Sequence, residues 1–475
     1  MSFASYVYII AFLPITCLGF WLIQRLRLYA ALWYLTFASG VFYAYWNPRD
    51  LLIAGASVVA NYFAAKALLS SKKPPRWLFV GAVAANLLAL GYYKYLAFVL
   101  GLISFELASA HSVSLPLGIS FFTFTQIAYL ADCWAGKIKQ EQHVPRDYFL
   151  FVSFFPHLIA GPILHHSDVF RQFRGGFRDD RATKIATGII LFSIGLFKKV
   201  MIADNLSLIA KPVFSLADGG TLVNSGQAWV GAVAYTLQLY FDFSGYSDMA
   251  VASALLIGFQ IPFNFDSPYR ATSIIEFWRR WHMTLSRFLR DYLYIPLGGN
   301  QKGERRRFLN IFTTMLLGGI WHGAGINFVI WGALHGLFIV VNHFWRDYVV
   351  PAMPAVARSR YLGIPAYILT MACVLLGWVF FRAETVSGAF MLTKRLFWLP
   401  QMSFEGNPAT TSELSLILAA CLIATALPNS RQVHDHLLSG GLAQHWRITG
   451  MAAGVLFAVA FVAISPDSPF LYFQF

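Results

Sequence analysis

The sequence predicts an all-α protein that crosses a membrane many times, and two observations carry this prediction. Hydrophobic residues make up 57% of the 475 positions and charged residues only 12%, whereas soluble domains carry roughly twice that share of charge. Several apolar runs also approach the ~20 residues that a helix needs to cross a bilayer. Because backbone polar groups cannot stay unpaired in lipid, we expect about ten or more helical spans.

The first three apolar runs set the predicted orientation. They cover 6–24, 29–46 and 51–69, and the first has no basic n-region or cleavage site, so we expect a retained span. Basic residues follow the first run, at Arg25 and Arg27, and the third run, in SSKKPPR. Since cytoplasmic loops are enriched in lysine and arginine, this asymmetry predicts that the N-terminus lies outside and the Lys72–Arg76 loop lies in the cytoplasm.

The middle of the chain predicts bent and broken spans. A hydrophobic region at 77–103 is interrupted by Lys94, and the stretch 148–164 contains FFPHLIAGPI, whose two prolines and glycine disfavour a straight helix. Irregular backbone at membrane depth is tolerated where it lines a cavity or is buried in protein. Further spans are expected at 115–134, 185–203, 227–258, 310–322, 325–344, 362–381, 413–427 and 447–465.

The chain shows no internal repeat, low-complexity tract or shift in composition. Residues 1–475 are therefore expected to form a single membrane domain. Within it, YFDFSGYSDMA places Asp242 and Asp248 in apolar surroundings, where unpaired carboxylates are costly. We expect both to face a cavity or a partner.

The net charge of +14 comes from lysines and arginines that cluster between apolar runs, so membrane topology explains most of it and nucleic acid is not expected. The four cysteines lie singly, without CxxC or metal-ligand spacing, so neither a disulfide framework nor a metal site is expected. The absence of GxSxG, P-loop and HExxH motifs argues against the usual soluble hydrolases, NTPases and zinc proteases.

Three histidines stand out between Glu276 and His335. His322 lies in GGIWHGAG, where glycines allow a backbone or ligand to approach the imidazole closely. A histidine at membrane depth indicates function unless it only bonds two helices. His335 follows 13 positions later, off the same face of one uninterrupted helix, and is expected to be structural.

His282 lies in EFWRRWHMTLSRFLRDYLY, whose apolar and arginine pattern predicts an amphipathic helix at the membrane interface. Interfacial anchoring alone would explain that pattern. The arginines and tryptophans beside the basic loop QKGERRR would also suit a coenzyme A thioester, with arginine for phosphate and aromatic rings for stacking.

Several segments together resemble the membrane-bound O-acyltransferase (MBOAT) family, in the branch of the alginate O-acetylation membrane protein and the related cellulose acetylation protein. In family order from 115 to 385, they are LPLGISFFTFTQIAYLADCW, FFPHLIAGPI, QLYFDFSGYSDMA, EFWRRWHMTLSRFLRDYLYIPLGGN, MLLGGIWHGA with WGALHG, and GWVFFRAE. The resemblance implies a bundle of about eleven transmembrane helices, with interfacial helices, around a central tunnel.

The resemblance also implies roles for individual residues. His322 corresponds to the invariant family histidine and would act as general base, and His282 corresponds to the second site residue and would orient or polarise the thioester. The expected donor-binding residues are Trp278, Arg279, Arg280, Trp281, Arg305, Arg306 and Arg307. The expected tunnel-lining residues are Asp242, Ser244, Tyr246, Asp248, Gly319 and Gly323.

By resemblance, the protein would take acetyl groups from acetyl-CoA, with no bound cofactor, and pass them across the bacterial inner membrane. Periplasmic acetyltransferase partners would complete O-acetylation of an exopolysaccharide. The segment after Arg382 is shorter than expected for the alginate member, which favours cellulose or another polymer. Peptidoglycan acetylation, an acyl or lipid transporter that makes no bonds, and a scaffold are the alternatives. D-alanyl transfer is disfavoured by the alginate-type segment YFDFSGYSDMA.

Overall fold

In the computed structural model of the chain, every regular element of the described residues is helical, which confirms the all-α class. The structure describes residues 1–104, 106, 113–175, 180–353, 362–398, 409–465 and 470–471, without the side chains of 442–444.

Within these ranges we number the α-helices in chain order. They are α1 (Leu13–Leu26), α2 (Leu28–Ala44), α3 (Pro48–Leu69), α4 (Arg76–Leu90), α5 (Leu96–Ile103), α6 (Ile119–Trp134), α7 (Pro145–Ser153), α8 (Phe155–Leu158), α9 (His166–Phe173), α10 (Arg181–Phe197), α11 (Asp204–Asp218), α12 (Ser225–Ile257), α13 (Ile274–Arg280), α14 (Met283–Leu289), α15 (Glu304–His322), α16 (Ile326–Phe344), α17 (Val350–Ala352), α18 (Gly363–Arg382), α19 (Val386–Phe397), α20 (Thr411–Thr425), α21 (Ser430–His436) and α22 (Leu442–Val462). Short π-helical stretches adjoin several of them, at Val7–Phe12, Gly91–Tyr95, Lys198–Ala203, Arg290–Tyr294, Trp345–Val349 and Leu437–Gly441.

Seven helical segments of the described chain are long and apolar enough to cross a membrane. They are Val7–Leu26, Pro48–Leu69, Arg76–Ile103, Arg181–Asp218, Ile326–Ala352, Gly363–Arg382 and His445–Val462. An eighth results if Thr411–Thr425 and Ser430–Gly441, which meet at a bend of 46°, cross together. The protein is thus a multi-pass membrane protein, as expected, while the number of about eleven spans stays a prediction.

The chain forms two compact units, each described by itself. The first comprises 1–197, 245–263 and 434–474, and the second comprises 198–244, 264–433 and residue 475. The expectation of a single membrane domain over 1–475 stays a prediction.

In the first unit, hydrogen bonds to Leu117 show that the C-terminal end of α2 and the N-terminal end of α3 lie together at one end of the helices. Tyr43 Oη donates to the Leu117 carbonyl over 2.6 Å, and the Leu117 N–H donates to Asp50 Oδ2 over 3.3 Å. Because α1 and α3 run away from this end, their basic C-terminal flanks lie at the opposite end. Arg181 joins them there, donating to Gln24 over 2.7 Å. One end of this unit is therefore strongly basic.

The segment after α7 is broken, as its prolines predict. Helix α7 ends at Ser153, and α8 is a single turn that ends at Leu158. A side chain at Gly161 would overlap the carbonyl of Pro156, so only glycine fits this close approach. The whole segment is buried in protein, where irregular backbone is tolerated.

In the second unit, α15 and α16 form an antiparallel hairpin joined by a three-residue turn, with α18 packed on α16. A Cβ at Gly332 would lie 3.1 Å from the Cα of Gly319, which shows how closely the two backbones approach. At the hairpin end, Asn327 Nδ2 donates to the Ala383 carbonyl over 2.6 Å. At the other end, an ion pair joins Arg307 to Asp347.

The single amphipathic helix expected over 276–294 is wrong. The backbone breaks between α13 and α14, where His282 takes the left-handed conformation, with φ 41° and ψ 54°. The Met283 N–H bonds to the Asn264 carbonyl at 2.9 Å, so the chain turns toward a distant loop at this point. Side-chain periodicity cannot reveal such a long-range bond.

Candidate active site

His322 is the last residue of α15 and is buried. Its ring lies near-perpendicular to Trp331, with centroids 4.9 Å apart, and contacts Phe381 at 5.2 Å and Trp321 at 4.8 Å. Edge-to-face packing is a preferred arrangement of aromatic rings, so three sides of the imidazole are restrained. The structure places His322 among aromatic side chains at the C-terminal end of a helix.

Glycines make this hairpin possible. A Cβ at Gly319 would lie 2.8 Å from the Cα of Gly332, and one at Gly323 would overlap the ring of Phe328. Both glycines were expected to line a tunnel, which stays a prediction. The contacts show that they let α15 and α16 approach, and so bring Trp331 against His322.

His335 is fully buried on α16 and close to the same ring. Trp331 lies 4.9 Å from both His335 and His322 by ring centroid. Trp278 Nε1 donates to His335 Nδ1 over 3.3 Å, so Nδ1 is the acceptor and the ring hydrogen sits on Nε2. The hairpin thus brings together two histidines that are 13 positions apart. The structural role expected for His335 stays a prediction.

His282 lies in a different environment, at the break between α13 and α14. Its ring packs edge-on against Phe243, with centroids 4.8 Å apart, and its Nδ1 lies 3.3 Å from Asn264 Oδ1. Thr284 donates to the same oxygen over 2.6 Å. Burial lowers the pKa of His282 to about 3, so the ring is neutral at physiological pH.

Aromatic rings connect the surroundings of the two histidines. Phe265 contacts both Phe243, which packs on His282, and Trp281, each at 5.0 Å. Trp281 lies 4.8 Å from Trp378, which stacks on Trp331 at 6.0 Å. A continuous chain of rings therefore runs from the ring beside His282 to the ring beside His322.

The expected donor-binding residues divide by exposure. Trp278 and Trp281 are buried, whereas Arg279, Arg305 and Arg306 are exposed. Arg280 is already paired with Glu276 at 2.9 Å, and Arg307 is paired with Asp347. The exposed arginines are consequently the better placed to meet a phosphate, although the donor-binding role stays a prediction.

The polar residues of α12 lie in both units. In the second unit, Lys199 Nζ lies 2.7 Å from carboxylate oxygens of both Asp242 and Asp204, so Asp242 has the partner that its burial requires. Ser244 is buried there too. In the first unit, Asp248 is buried, and Tyr246 stacks on Phe470 at 4.2 Å. That these residues line a tunnel stays a prediction.

The sequence model of the membrane-bound O-acyltransferase (MBOAT) family matches residues 116–382, which are more than half of the chain. This chain belongs to the membrane-bound O-acyltransferase family. It is therefore an O-acyltransferase. The expectation drawn from the segments that resemble this family is confirmed at the level of family and reaction class.

Three relatives show how wide this MBOAT similarity is. The "peptidoglycan O-acetyltransferase" of Helicobacter pylori (strain ATCC 700392 / 26695) is 37% identical, over 100% of this chain and 98% of its own. The "probable alginate O-acetylase AlgI" of Azotobacter vinelandii is 38% identical over 100% of both chains. The "teichoic acid D-alanyltransferase" of Bacillus subtilis (strain 168) is 26% identical, over 65% of this chain and 78% of its own.

Sequence reasoning missed residues that shape the candidate site. Asn264 and Thr284 hold His282, and Trp331 and Trp378 connect the rings around the two histidines. Asn264 stands in the proline-containing loop IPFNFDSPYR, where an asparagine is ordinary. The tryptophans stand in apolar helices, where they look like core. Only their spatial proximity to the histidines distinguishes them.

Proposed function

We propose that this MBOAT protein takes acetyl groups from acetyl-CoA in the cytoplasm and passes them across the inner membrane for O-acetylation of an exopolysaccharide of the alginate or bacterial cellulose type. The observation that carries the proposal is the buried His322, held by aromatic rings at the glycine hairpin. Similarity over the full chain to a relative named alginate O-acetylase supports the polymer class.

The proposed chemistry uses His322 as a general base. The acceptor hydroxyl attacks the thioester carbonyl, so that a C–O bond forms and the C–S bond breaks. The hydroxyl proton moves to the imidazole and then to the departing thiolate, which leaves as a thiol. A neutral imidazole, whose ordinary pKa lies near the working pH, suits both transfers. The burial of the ring and its aromatic neighbours keep bulk water away from the reacting atoms.

The donor side is proposed to be the end of α15 that carries Arg305 and Arg306. Both are exposed in its first turn, directly after Glu304, while His322 ends the same helix. Arginine recognises phosphate by paired hydrogen bonds, so the charged end of coenzyme A would bind here. The thioester would then reach toward the histidines from the basic end.

The loops rich in lysine and arginine, among them those at 70–76 and 301–307, are proposed to face the cytoplasm, and the N-terminus is proposed to lie in the periplasm. This follows from the enrichment of lysine and arginine in cytoplasmic loops. Lys302 and Glu384 lie at opposite ends of the second unit, because α15 and α16 run between them. In a cysteine-free background, a membrane-impermeant maleimide should label Glu384→Cys in intact spheroplasts and Lys302→Cys only after permeabilisation. The reverse pattern would contradict the orientation.

Transfer to the polymer is proposed to involve periplasmic acetyltransferase partner proteins. The C-terminal ends of helices α15 and α18 lie near the hydrogen bond between Asn327 and Ala383, and they would then face those partners. An acetyl acceptor on that side must carry a hydroxyl group, because an O-acyltransferase forms an ester.

Peptidoglycan O-acetylation is the second candidate, since the Helicobacter pylori relative of that name is almost equally similar over the full chain. The deciding experiment measures ester-linked acetate on exopolysaccharide and peptidoglycan from one deletion strain. The strain is complemented with the wild type, with His322→Ala, or with the control His445→Ala, whose side chain is exposed.

We expect exopolysaccharide acetate with the wild type and the control, and its loss with His322→Ala at equal protein level. Acetate restored on peptidoglycan alone would move the substrate to the second candidate. Full exopolysaccharide acetylation by His322→Ala would contradict the catalytic role and favour a scaffold that recruits other enzymes.

A further inference from the structure

Asn264 is a buried polar residue that packs against His282 and has no assigned role. It lies in the loop between α12 and α13 with no exposed surface. Its backbone carbonyl accepts from the Met283 N–H at 2.9 Å, and its Oδ1 accepts from Thr284 Oγ1 at 2.6 Å. The same Oδ1 lies 3.3 Å from His282 Nδ1.

This geometry selects one form of the imidazole. A carbonyl oxygen only accepts hydrogen bonds, so His282 Nδ1 must carry the hydrogen in order to bond to Asn264. In a neutral ring, Nε2 then carries a lone pair and is an acceptor. With the hydrogen on Nε2 instead, the lone pair of Nδ1 would face the lone pair of Asn264 Oδ1 in a buried site.

Two polar atoms of this pair have no hydrogen-bond partner among the residues that the structure describes. Within the described part of the chain, His282 Nε2 and Asn264 Nδ2 are buried and form no hydrogen bond. Buried polar groups are nearly always bonded, and an exception in a native structure calls for an explanation. The backbone of His282 is also in the left-handed conformation, which is strained for this residue type. Such strained residues cluster at functional sites.

We propose that Asn264 is a positioning residue of the acyl-transfer site, which fixes His282 as the Nδ1–H tautomer so that Nε2 accepts a hydrogen bond from the substrate. The inference rests on the proposed function for the identity of that substrate. The matching chemical group is one that donates, such as an amide N–H of a pantetheine arm or the acceptor hydroxyl. His282 would therefore hold a donor group and would not polarise the thioester carbonyl, which needs an N–H.

The tautomer is measurable without any activity assay. Protein labelled with ¹⁵N,¹³C-histidine is reconstituted in lipid, and nitrogen–proton correlations show which ring nitrogen carries the hydrogen. The signal is assigned by its loss in His282→Gln. We expect Nδ1–H between pH 5 and pH 8 (about the physiological range). A wild-type signal from Nε2–H would overturn the inference, because the Asn264 amide would then have to be turned round.

Variants of the two supporting residues show whether the bond matters for turnover. Asn264→Leu removes the acceptor at similar size, and Thr284→Val removes the hydroxyl that holds it. Thr284→Ser keeps that hydroxyl and is the matched control. We expect Asn264→Leu to lose the single tautomer and to lower kcat about tenfold per folded molecule. Thr284→Val should have a smaller effect in the same direction. Thr284→Ser should keep both the Nδ1–H tautomer and the kcat of the wild type.

The outcomes separate the inference from the proposed function. An Nδ1–H signal with no acetyl transfer by the wild type would leave the tautomer standing and overturn the function. Acetyl transfer with an unchanged kcat in a folded Asn264→Leu protein would keep the function and overturn the positioning role. If Asn264→Leu fails to fold, the inference is tested by the tautomer of the wild type and by the comparison of Thr284→Val with Thr284→Ser.

Discussion

The surroundings of His322 and His282 hold an imidazole by different means. His322 ends a helix, and its ring is restrained by aromatic contacts with Trp321, Trp331 and Phe381. His282 sits at a strained backbone break, and its ring is held by polar contacts to Asn264 and a bond network that includes Thr284. Packing restrains the orientation of a ring, whereas a hydrogen bond also selects which nitrogen carries the hydrogen. The two sites are therefore suited to different tasks.

The largest expected effect is a loss of stability and activity in a variant that disrupts the packing around His322. Gly319→Val would place a side chain against the Gly332 backbone, 2.8 Å from its Cα, and force α15 and α16 apart. Overpacking of this kind costs about 3 kcal/mol. We expect a lower midpoint of thermal unfolding and loss of acetyl transfer. The matched control is Gly81→Ala in α4, where an added Cβ meets nothing within 4 Å; equal stability of both variants would contradict the packing account.

The second expected effect is a dependence of stability on pH that comes from the buried His282. The folded pKa of His282, about 3, lies below the ordinary value of 6.5, because burial disfavours the charged ring. The unfolded chain thus binds a proton first as the pH falls. The stabilising contribution is complete above pH 6.5 and is lost progressively toward pH 3. The unfolding midpoint of the wild type should fall more between pH 7 and pH 5 (a range in which the unfolded ring titrates) than that of His282→Gln; parallel curves would contradict the neutral, buried ring.

The third effect separates donor binding from chemistry at the histidines. Arg305→Gln with Arg306→Gln removes two exposed guanidinium groups from the first turn of α15. We expect the KM for acetyl-CoA to rise about tenfold with kcat unchanged, because charge-assisted bonds to phosphate are lost. The control is Arg49→Gln in the first unit. An unchanged KM would move the phosphate site elsewhere.

The smallest expected effect concerns His335, which shares Trp331 with His322. Trp278→Phe keeps an aromatic ring but removes the indole N–H that bonds to His335 Nδ1. Loss of one such hydrogen bond should lower the free energy of unfolding by about 1 kcal/mol. Kinetics of acetyl transfer should change little if His335 is structural. A loss of kcat as large as that of His322→Ala would give His335 a part in catalysis.

The two sites were also predictable to different degrees. The helix that ends at His322 and its glycines follow from apolar runs and from local residue types. The break at His282 does not, because it depends on a bond between Met283 and Asn264, 19 positions apart in the chain. The Lys199 partner of Asp242 was likewise hidden, since a lysine near a predicted span end looks like an interfacial anchor. Long-range polar pairing leaves no periodic signal in a sequence.

The most direct test of the central claim is cleavage of acetyl-CoA by the purified protein in lipid. A hydroxyl-bearing oligosaccharide is supplied as the acetyl acceptor, and free thiol and acetyl ester are measured together for the wild type, His322→Ala and the control His445→Ala. The wild type and the control should release thiol and form ester in equal amounts, and His322→Ala should be slower by about 10³-fold while folding normally, within the range for loss of a general base. Unchanged turnover by a folded His322→Ala protein would contradict the assignment of His322 as the general base.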